Sequence, residues 1–326
     1  MRRLFAMSAV VLAMLAGNGI AVAAQDATPA TASCVAPELP PGTPTPMEEM
    51  APEASPAADM AGMEMASPEA IAEAEAMAEM AEHATPESAA LAGAPADDAA
   101  AERVSAAAEN LLACLNEGNY LGFAALLTPN YLLTEFGTTN PYDLPVFMEG
   151  VPGFEGRAVR DAQTHSDGRL SVDVTTVIGG TQVDRFRAFF VDQAGTLLLD
   201  EEVPLPIDNA AVEVEATMLD FAFDLSQDTV PAGELVAFTL PNEGQYPHEF
   251  AVVRLPEGIS IEQVFADPSL EEQIQFLGGA YAEPGDTAYL GLENLEPGTY
   301  TAVCFVDIPD GIPHVMRGMI VEFTVE

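Results

Sequence analysis

At 326 residues the chain is too long for one small β-domain and long enough for two, with sequence to spare. Its formal net charge of −42 sets 52 acidic residues against 10 basic ones, all of them Arg. A surface so acidic repels nucleic acid and anionic membranes, leaving both as poor partners, and favours a basic protein at low salt. The same excess of acid is equally what keeps a secreted or salt-tolerant protein soluble. The chain opens with Met1, Arg2 and Arg3, an apolar run from Leu4 to Ala16 and a small-residue stretch from Ala21 to Ala24. This is the pattern of a secretory signal peptide over residues 1–24, and it predicts a secreted or periplasmic location. The apolar run is too short to span a bilayer, and Gly17, Asn18 and Gly19 interrupt it, so no stable membrane insertion is expected. Cys34 lies too far beyond that run to be a lipid-attachment site.

Residues 25–98 are rich in Ala, Pro, Glu and Met and poor in aromatic and β-branched side chains. Such a stretch buries too little apolar surface to offset the entropy of ordering, so it reads as a disordered linker. Ser67 and Pro68 could start one solvated helix within it, as N-cap and first helical residue. Methionines recur at short spacing, at Met47 and Met50, Met60, Met63 and Met65, and Met77 and Met80 with His83. On a helix Met77, Met80 and His83 share a face and form a weak Cu(I) arm; the alternative is a biased linker without chemistry.

Residues 99–206 change character. Asp97 and Asp98 cap an amphipathic helix over Ala99–Asn116, with Val104, Ala108, Leu111, Leu112 and Leu115 on one side. A short helix over Tyr120–Leu127 and a Gly/Pro/Asn-rich passage follow. Four alternating strands come next, over Arg157–His165, Arg169–Ile178, Gln182–Val191 and Thr196–Val203. Turns at Asp167–Gly168, Gly179–Gly180 and Gln193–Gly195 separate them. Helices followed by an antiparallel meander make an α+β domain. The layout resembles the nuclear transport factor 2-like cone fold, in which a curved sheet wraps a helix around a pocket. That resemblance implies docking, dimerisation or small-ligand binding, so a homodimer through this domain is one expected assembly. Some members of that superfamily are enzymes, and Asp143, Asp161 and His165 are the residues available here. Nothing in the sequence fixes their geometry, and none is nominated as catalytic.

The last third, residues 207–326, carries the most specific signal. His248 enters a β-rich run, Phe250–Leu255; Cys304 ends an alternating run that begins at Gly298. Nine residues separate Cys304 from His314, and four more separate His314 from Met319. A proline- and glycine-bearing loop, Asp307–Pro313, lies between, and strand character resumes over Met319–Val325. Two imidazoles, a thiolate and a distant thioether form the donor set of a blue-copper centre, suited to both oxidation states and hence to electron transfer. One such centre uses one of three cysteines and two of four histidines.

This region, from about residue 210, resembles a cupredoxin, the Greek-key β-sandwich of plastocyanin, pseudoazurin and the blue-copper domain of nitrite reductase. The resemblance rests on the turn Asn242–Pro247 before His248, on Cys304, and on the plastocyanin-like step from His314 to Met319. It implies one type 1 copper per chain, with His248, Cys304, His314 and Met319 as ligands, and a redox protein as partner. Two departures stand out. Glu249 occupies the place of an Asn in many cupredoxins, and Ile259–Phe276 reads as an inserted helix. If Cys304 binds copper, Cys34 and Cys114 are left over; in an oxidising compartment they pair, or else both stay free. The expectation is a secreted electron carrier and not an enzyme. Multicopper oxidation and nitrite reduction need further His-rich centres, and only His83 and His165 remain. The rival is a copper chaperone or scavenger that loads metal through the Met-rich arm. A third possibility is a catalytic or ligand-binding cone domain fused to a cupredoxin.

Overall fold

The computed structural model describes residues 33–45, 93–149, 151–256, 258–307 and 312–326. The expected signal peptide and the Met-rich arm with Met77, Met80 and His83 lie outside them. No helix of the described residues is long and apolar enough to cross a membrane.

Helix α1 spans Asp98–Asn116 and begins where Asp97 accepts a hydrogen bond from the Ala100 amide at 2.8 Å. Its apolar side buries Val104, Ala108, Leu111 and Cys114, with Leu112 and Leu115 partly covered. Helix α2 is shorter than expected, Tyr120–Ala124. The backbone of Leu126 and Thr128 turns away to bond Leu199 of the sheet, so it cannot continue a helix. The Gly/Pro/Asn-rich passage contains a helix the sequence reading did not place, α3 (Pro129–Phe136). Its signals were local: Thr128 caps the Tyr131 amide, Pro129 opens the first turn, and Gly137 ends the helix at φ 70°. A 3-10 turn (Pro141–Asp143) and α4 (Leu144–Phe147) follow.

The meander comes next: β2 (Phe154–Thr164), β3 (Leu170–Ile178), β4 (Gln182–Gln193) and β5 (Thr196–Pro204). The short β1 (Ala94–Pro95) pairs with β2. Among the described residues nine further strands build a sandwich. They are β6 (Val212–Leu219), β7 (Ala222–Leu225), β8 (Thr229–Val230), β9 (Val236–Pro241), β10 (His248–Arg254), β11 (Gln275–Ala282), β12 (Thr287–Leu292), β13 (Gly298–Val303) and β14 (Ile320–Val325). One sheet runs β11-β10-β13-β14-β8. The other runs β12-β9-β6-β7 and continues through β12 into β4, so the meander and the sandwich share a sheet. Phe238, Phe250, Leu290, Tyr300 and Phe323 fill the space between the sheets.

The inserted helix expected over Ile259–Phe276 is present as two short pieces, broken at Asp267 and ending before Gln275. Helix α5 covers Ile261–Ala266, capped by a reciprocal Ser260–Gln263 pair. Pro268 then starts a 3-10 turn, and Gln275 already belongs to β11. Pro268 lacks the amide a continuing helix needs, and Phe276 pairs with Val253 in the sheet.

Candidate metal centre

Strand register gathers the sequence's four candidate ligands at one end of the β10–β13–β14 sheet. His248 opens β10, and Ala251 pairs with Val303, the last residue of β13. Val303 in turn pairs with Ile320, so Cys304 and Met319 are the next opposed positions, and the Cys304 amide donates to the Met319 carbonyl at 3.3 Å. His314 opens a 3-10 turn tied back by His314 N–H to Val306 O at 2.9 Å and Val315 N–H to Cys304 O at 2.8 Å. His248, Cys304, His314 and Met319 are all fully buried.

The donor atoms converge. His248 Nδ1 lies 3.1 Å from His314 Nδ1, which lies 3.3 Å from Cys304 Sγ. Imidazole nitrogens about 2.0–2.1 Å from a first-row ion and roughly 100–120° apart at it stand about 3.1–3.6 Å from each other. The three side chains therefore fit one small ion. Among the described residues this is the one cluster of His, Cys, Asp or Glu with ligand atoms close enough to hold a metal.

Burial holds the two imidazoles in the form a metal needs and the thiol in the form it does not. Burial, and then the neighbouring His248, lower the His314 pKa to about 4. Burial lowers that of His248 too, with Asp220 opposing it. Both rings are thus neutral and offer lone pairs at pH 7. Burial pushes the Cys304 thiol up to about 12, against the backbone N–H groups of Glu249 and Val306 that point at the sulfur. The thiolate therefore needs a cation beside it, and metal binding must release its proton.

Glu249 enters this arrangement through its backbone: its N–H donates to Cys304 Sγ at 3.3 Å. Its side chain is buried, and burial raises that carboxyl to about 8 despite the Phe305 amide. The turn before His248 is braced by the buried Asn242, whose side-chain amide donates to Tyr246 O and Ala282 O, both at 2.9 Å. Two residues at the centre, Asp220 and Phe221, went unnoticed in the sequence, and Gly244 was visible only as part of the turn before His248. Asp220 Oδ1 lies 3.3 Å from His248 Nε2. The Phe221 ring meets His314 edge-on at 5.2 Å. Gly244 packs against His248 and Asp220. The first two form the β6–β7 turn, which sequence alone marks only as a break between alternating runs.

The other sequence candidates lie elsewhere. Cys34 and Cys114 form a disulfide, which pins the segment 33–45 to α1. Asp143 is a clasp for that segment. Its buried carboxylate accepts from Thr45 N at 2.6 Å, Thr45 Oγ1 at 2.9 Å, Thr138 Oγ1 at 2.6 Å and Asn140 Nδ2 at 2.9 Å, which occupies it structurally. Asp161 is exposed on a bulge of β2 at φ 57°, beside Arg160. His165 is buried against Phe189 and bonds Ser171 Oγ through Nε2 at 2.8 Å.

No family model and no curated protein matches the chain. Similar solved structures include the auracyanin of Roseiflexus castenholzii, at 20% identity over 35% of this chain and 95% of that one, TM-score 0.27. Auracyanin A of Chloroflexus aurantiacus, a "blue" copper protein, is 19% identical over 35% of this chain and 98% of that one, TM-score 0.24. A multicopper oxidase of Campylobacter jejuni is 11% identical over 47% of this chain and 43% of that one, TM-score 0.24. These neighbours are cupredoxins. The chemistry of the centre rests on its own side chains.

Proposed function

We propose that this chain is a secreted one-electron carrier with one type 1 copper centre. The observation that carries the reading is the convergence of two imidazoles and a thiol, all buried, with His314 Nδ1 within hydrogen-bonding distance of both His248 Nδ1 and Cys304 Sγ. His248, Cys304 and His314, with Met319 as a weaker fourth donor, would hold a copper ion, which would supply one-electron transfer between Cu(II) and Cu(I). The rest is the work of the chain. Strands β10, β13 and β14 fix the donors before metal arrives, so little rearrangement accompanies a change of charge. Burial keeps water from the thiolate.

Four large apolar side chains close to the centre in the chain or the fold are exposed: Tyr246, Leu219 before the β6–β7 turn, and Ile312 and Met316, each two residues from His314. Tyr246 and Phe221 both contact its ring. This face is the proposed contact for a redox protein partner. The meander joins the sandwich through Gly291 and Leu292, at the far end of β12 from Thr287, which lies opposite Pro241 near the centre. At about 3.4 Å per residue the junction is roughly 15 Å away along the strand, which leaves the proposed contact face clear.

The test is optical and stoichiometric. Copper-loaded protein is expected to be intensely blue from thiolate-to-Cu(II) charge transfer, and Cys304→Ser to abolish the colour. Tight copper in a colourless wild type refutes the type 1 assignment. Anaerobic Cu(I) titration against a competing chelator is expected to give one tight equivalent. Two or more would favour copper handling through residues 47–83.

A further inference from the structure

The β6–β7 hairpin turns on Asp220 and Phe221, with Leu219 and Ala222 paired across it. Phe221 is held at φ 66°, in the left-handed region where a hairpin under no other demand places Gly or Asn. Strain of this kind persists where the surroundings over-determine it. Here both turn side chains reach the metal centre. Phe221 covers the edge of His314, and Asp220 Oδ1 faces His248 Nε2 at 3.3 Å. The same oxygen accepts from Gln245 N at 2.9 Å and Tyr246 N at 3.4 Å, which ties the turn to the segment leading into His248. Gly244 closes the arrangement. A Cβ there would stand 2.5 Å from His248 Nε2 and closer still to Asp220 Oδ1. Gly244 is not among the glycines with positive φ, so the glycine is required by space and not by backbone freedom.

We infer that Asp220 is the positioning residue of the copper centre: it holds His248 as the Nε2–H tautomer, with Nδ1 facing His314 Nδ1, and sets how strongly the centre prefers Cu(II). The tautomer follows from the geometry alone; the effect on copper rests on the type 1 reading. A carboxylate that accepts the remote N–H of a ligating imidazole fixes the ring and makes the ligating nitrogen a better donor. A better donor stabilises Cu(II) more than Cu(I) and lowers the reduction potential. Asp220→Asn keeps the shape and an acceptor oxygen but removes the charge.

The experiment uses the full chain with two readouts. In metal-free protein, nitrogen NMR of the histidine rings is expected to find the His248 proton on Nε2, and Asp220→Ala to lose that preference. In copper-loaded protein, Asp220→Asn is expected to stay blue while Cu(II) affinity falls about tenfold relative to Cu(I), a rise of about 59 mV in midpoint potential. Gly244→Ala, which wedges the pair apart, should shift the potential the same way. A metal-free wild type with the proton on His248 Nδ1, or a blue Asp220→Asn with an unchanged potential, overturns the assignment. A colourless wild type counts against the type 1 reading instead, and the NMR result then decides the role of Asp220.

Discussion

Copper bound as proposed should stabilise the α+β unit as well as the sandwich, because the two share a sheet. At the junction Gly291 pairs with Val183 and Leu292 with Gln182. Glu293 N–H donates to Thr181 O at 2.9 Å, Gly279 N–H to Gln182 Oε1 at 3.1 Å, and Asn294 Nδ2 to Gly180 O at 3.1 Å. Arg157 grips Glu293 with two nitrogens, each 2.5 Å from a carboxylate oxygen. At about 1 kcal/mol for each neutral bond and about 2 for the charged fork, the junction is worth on the order of 5 kcal/mol. That is comparable to the whole net stability of a small domain, so opening either unit alone is unfavourable. Free metal at about a thousand times Kd adds about 4 kcal/mol to the native state, or roughly 8–16 °C in Tm for a structure of this size. Calorimetry is expected to show one transition that moves upward by that amount on loading. Gly291→Ala places a methyl 2.8 Å from Val183 Cβ and 2.9 Å from Val183 O, forcing β4 from β12 at a cost of about 1–3 kcal/mol. In this variant the transition should split, leaving the α+β part insensitive to copper. Two transitions in the wild type, only one of them responding to copper, would refute the coupling. So would a Gly291→Ala profile identical to the wild type.

Met319→Leu is expected to keep copper and colour but raise the reduction potential, since a donor that favours Cu(II) is lost; an unchanged potential in voltammetry would point to another axial group. The α+β unit should carry a pH dependence of its own. Burial, and then Glu135, push Glu202 up to about 8, although Tyr131 donates to it. A carboxyl raised above its unfolded value stabilises the fold fully below about pH 4.5, and that stability is lost as pH rises through about 8. Urea unfolding of metal-free wild type should therefore lose on the order of a few kcal/mol between pH 5 and 9, and Glu202→Gln should flatten that slope; equal slopes would contradict the assignment.

Much of the fold was legible because period-2 alternation and turn chemistry are local. Leu170–Ile178 and Thr196–Pro204 fall within a residue of the strands read from the sequence. Helix α1 likewise announces itself by its Asp cap and apolar side. Errors arose where a distant segment competed for the same backbone. Leu126 and Leu127 continue the apolar run of the expected helix, but Leu199 bonds the backbone on either side of Leu127, at Leu126 and Thr128, and the helix stops. Phe276 has helical spacing to its predecessors, but Val253 claims it for the sheet. The joining of β4 to β12 was not readable at all. Gly291 lies in an ordinary alternating run, and only its approach to Val183 shows why it lacks a side chain.

The centre divides along the same line. Its candidate ligands are uncommon residue types at fixed separations, and Cys304, His314 and Met319 are close in sequence, so their joint chemistry is visible in the letters alone. What orients them is not. Asp220 precedes His248 by 28 positions and meets it only because β6 and β9 are parallel neighbours that bring the β6–β7 turn to the same end of the sandwich. Glu249 shows the opposite relation. A carboxyl where many cupredoxins have Asn looks like a threat to the thiolate's hydrogen bonding. That hydrogen bond comes from the Glu249 amide, whose direction β10 fixes whatever the side chain is. The side chain turns into the interior, where the Phe305 amide meets it and burial favours its neutral form. The substitution is therefore compatible with the centre because the contact belongs to the backbone, and a residue's identity at position 249 constrains the sulfur far less than the strand that carries it.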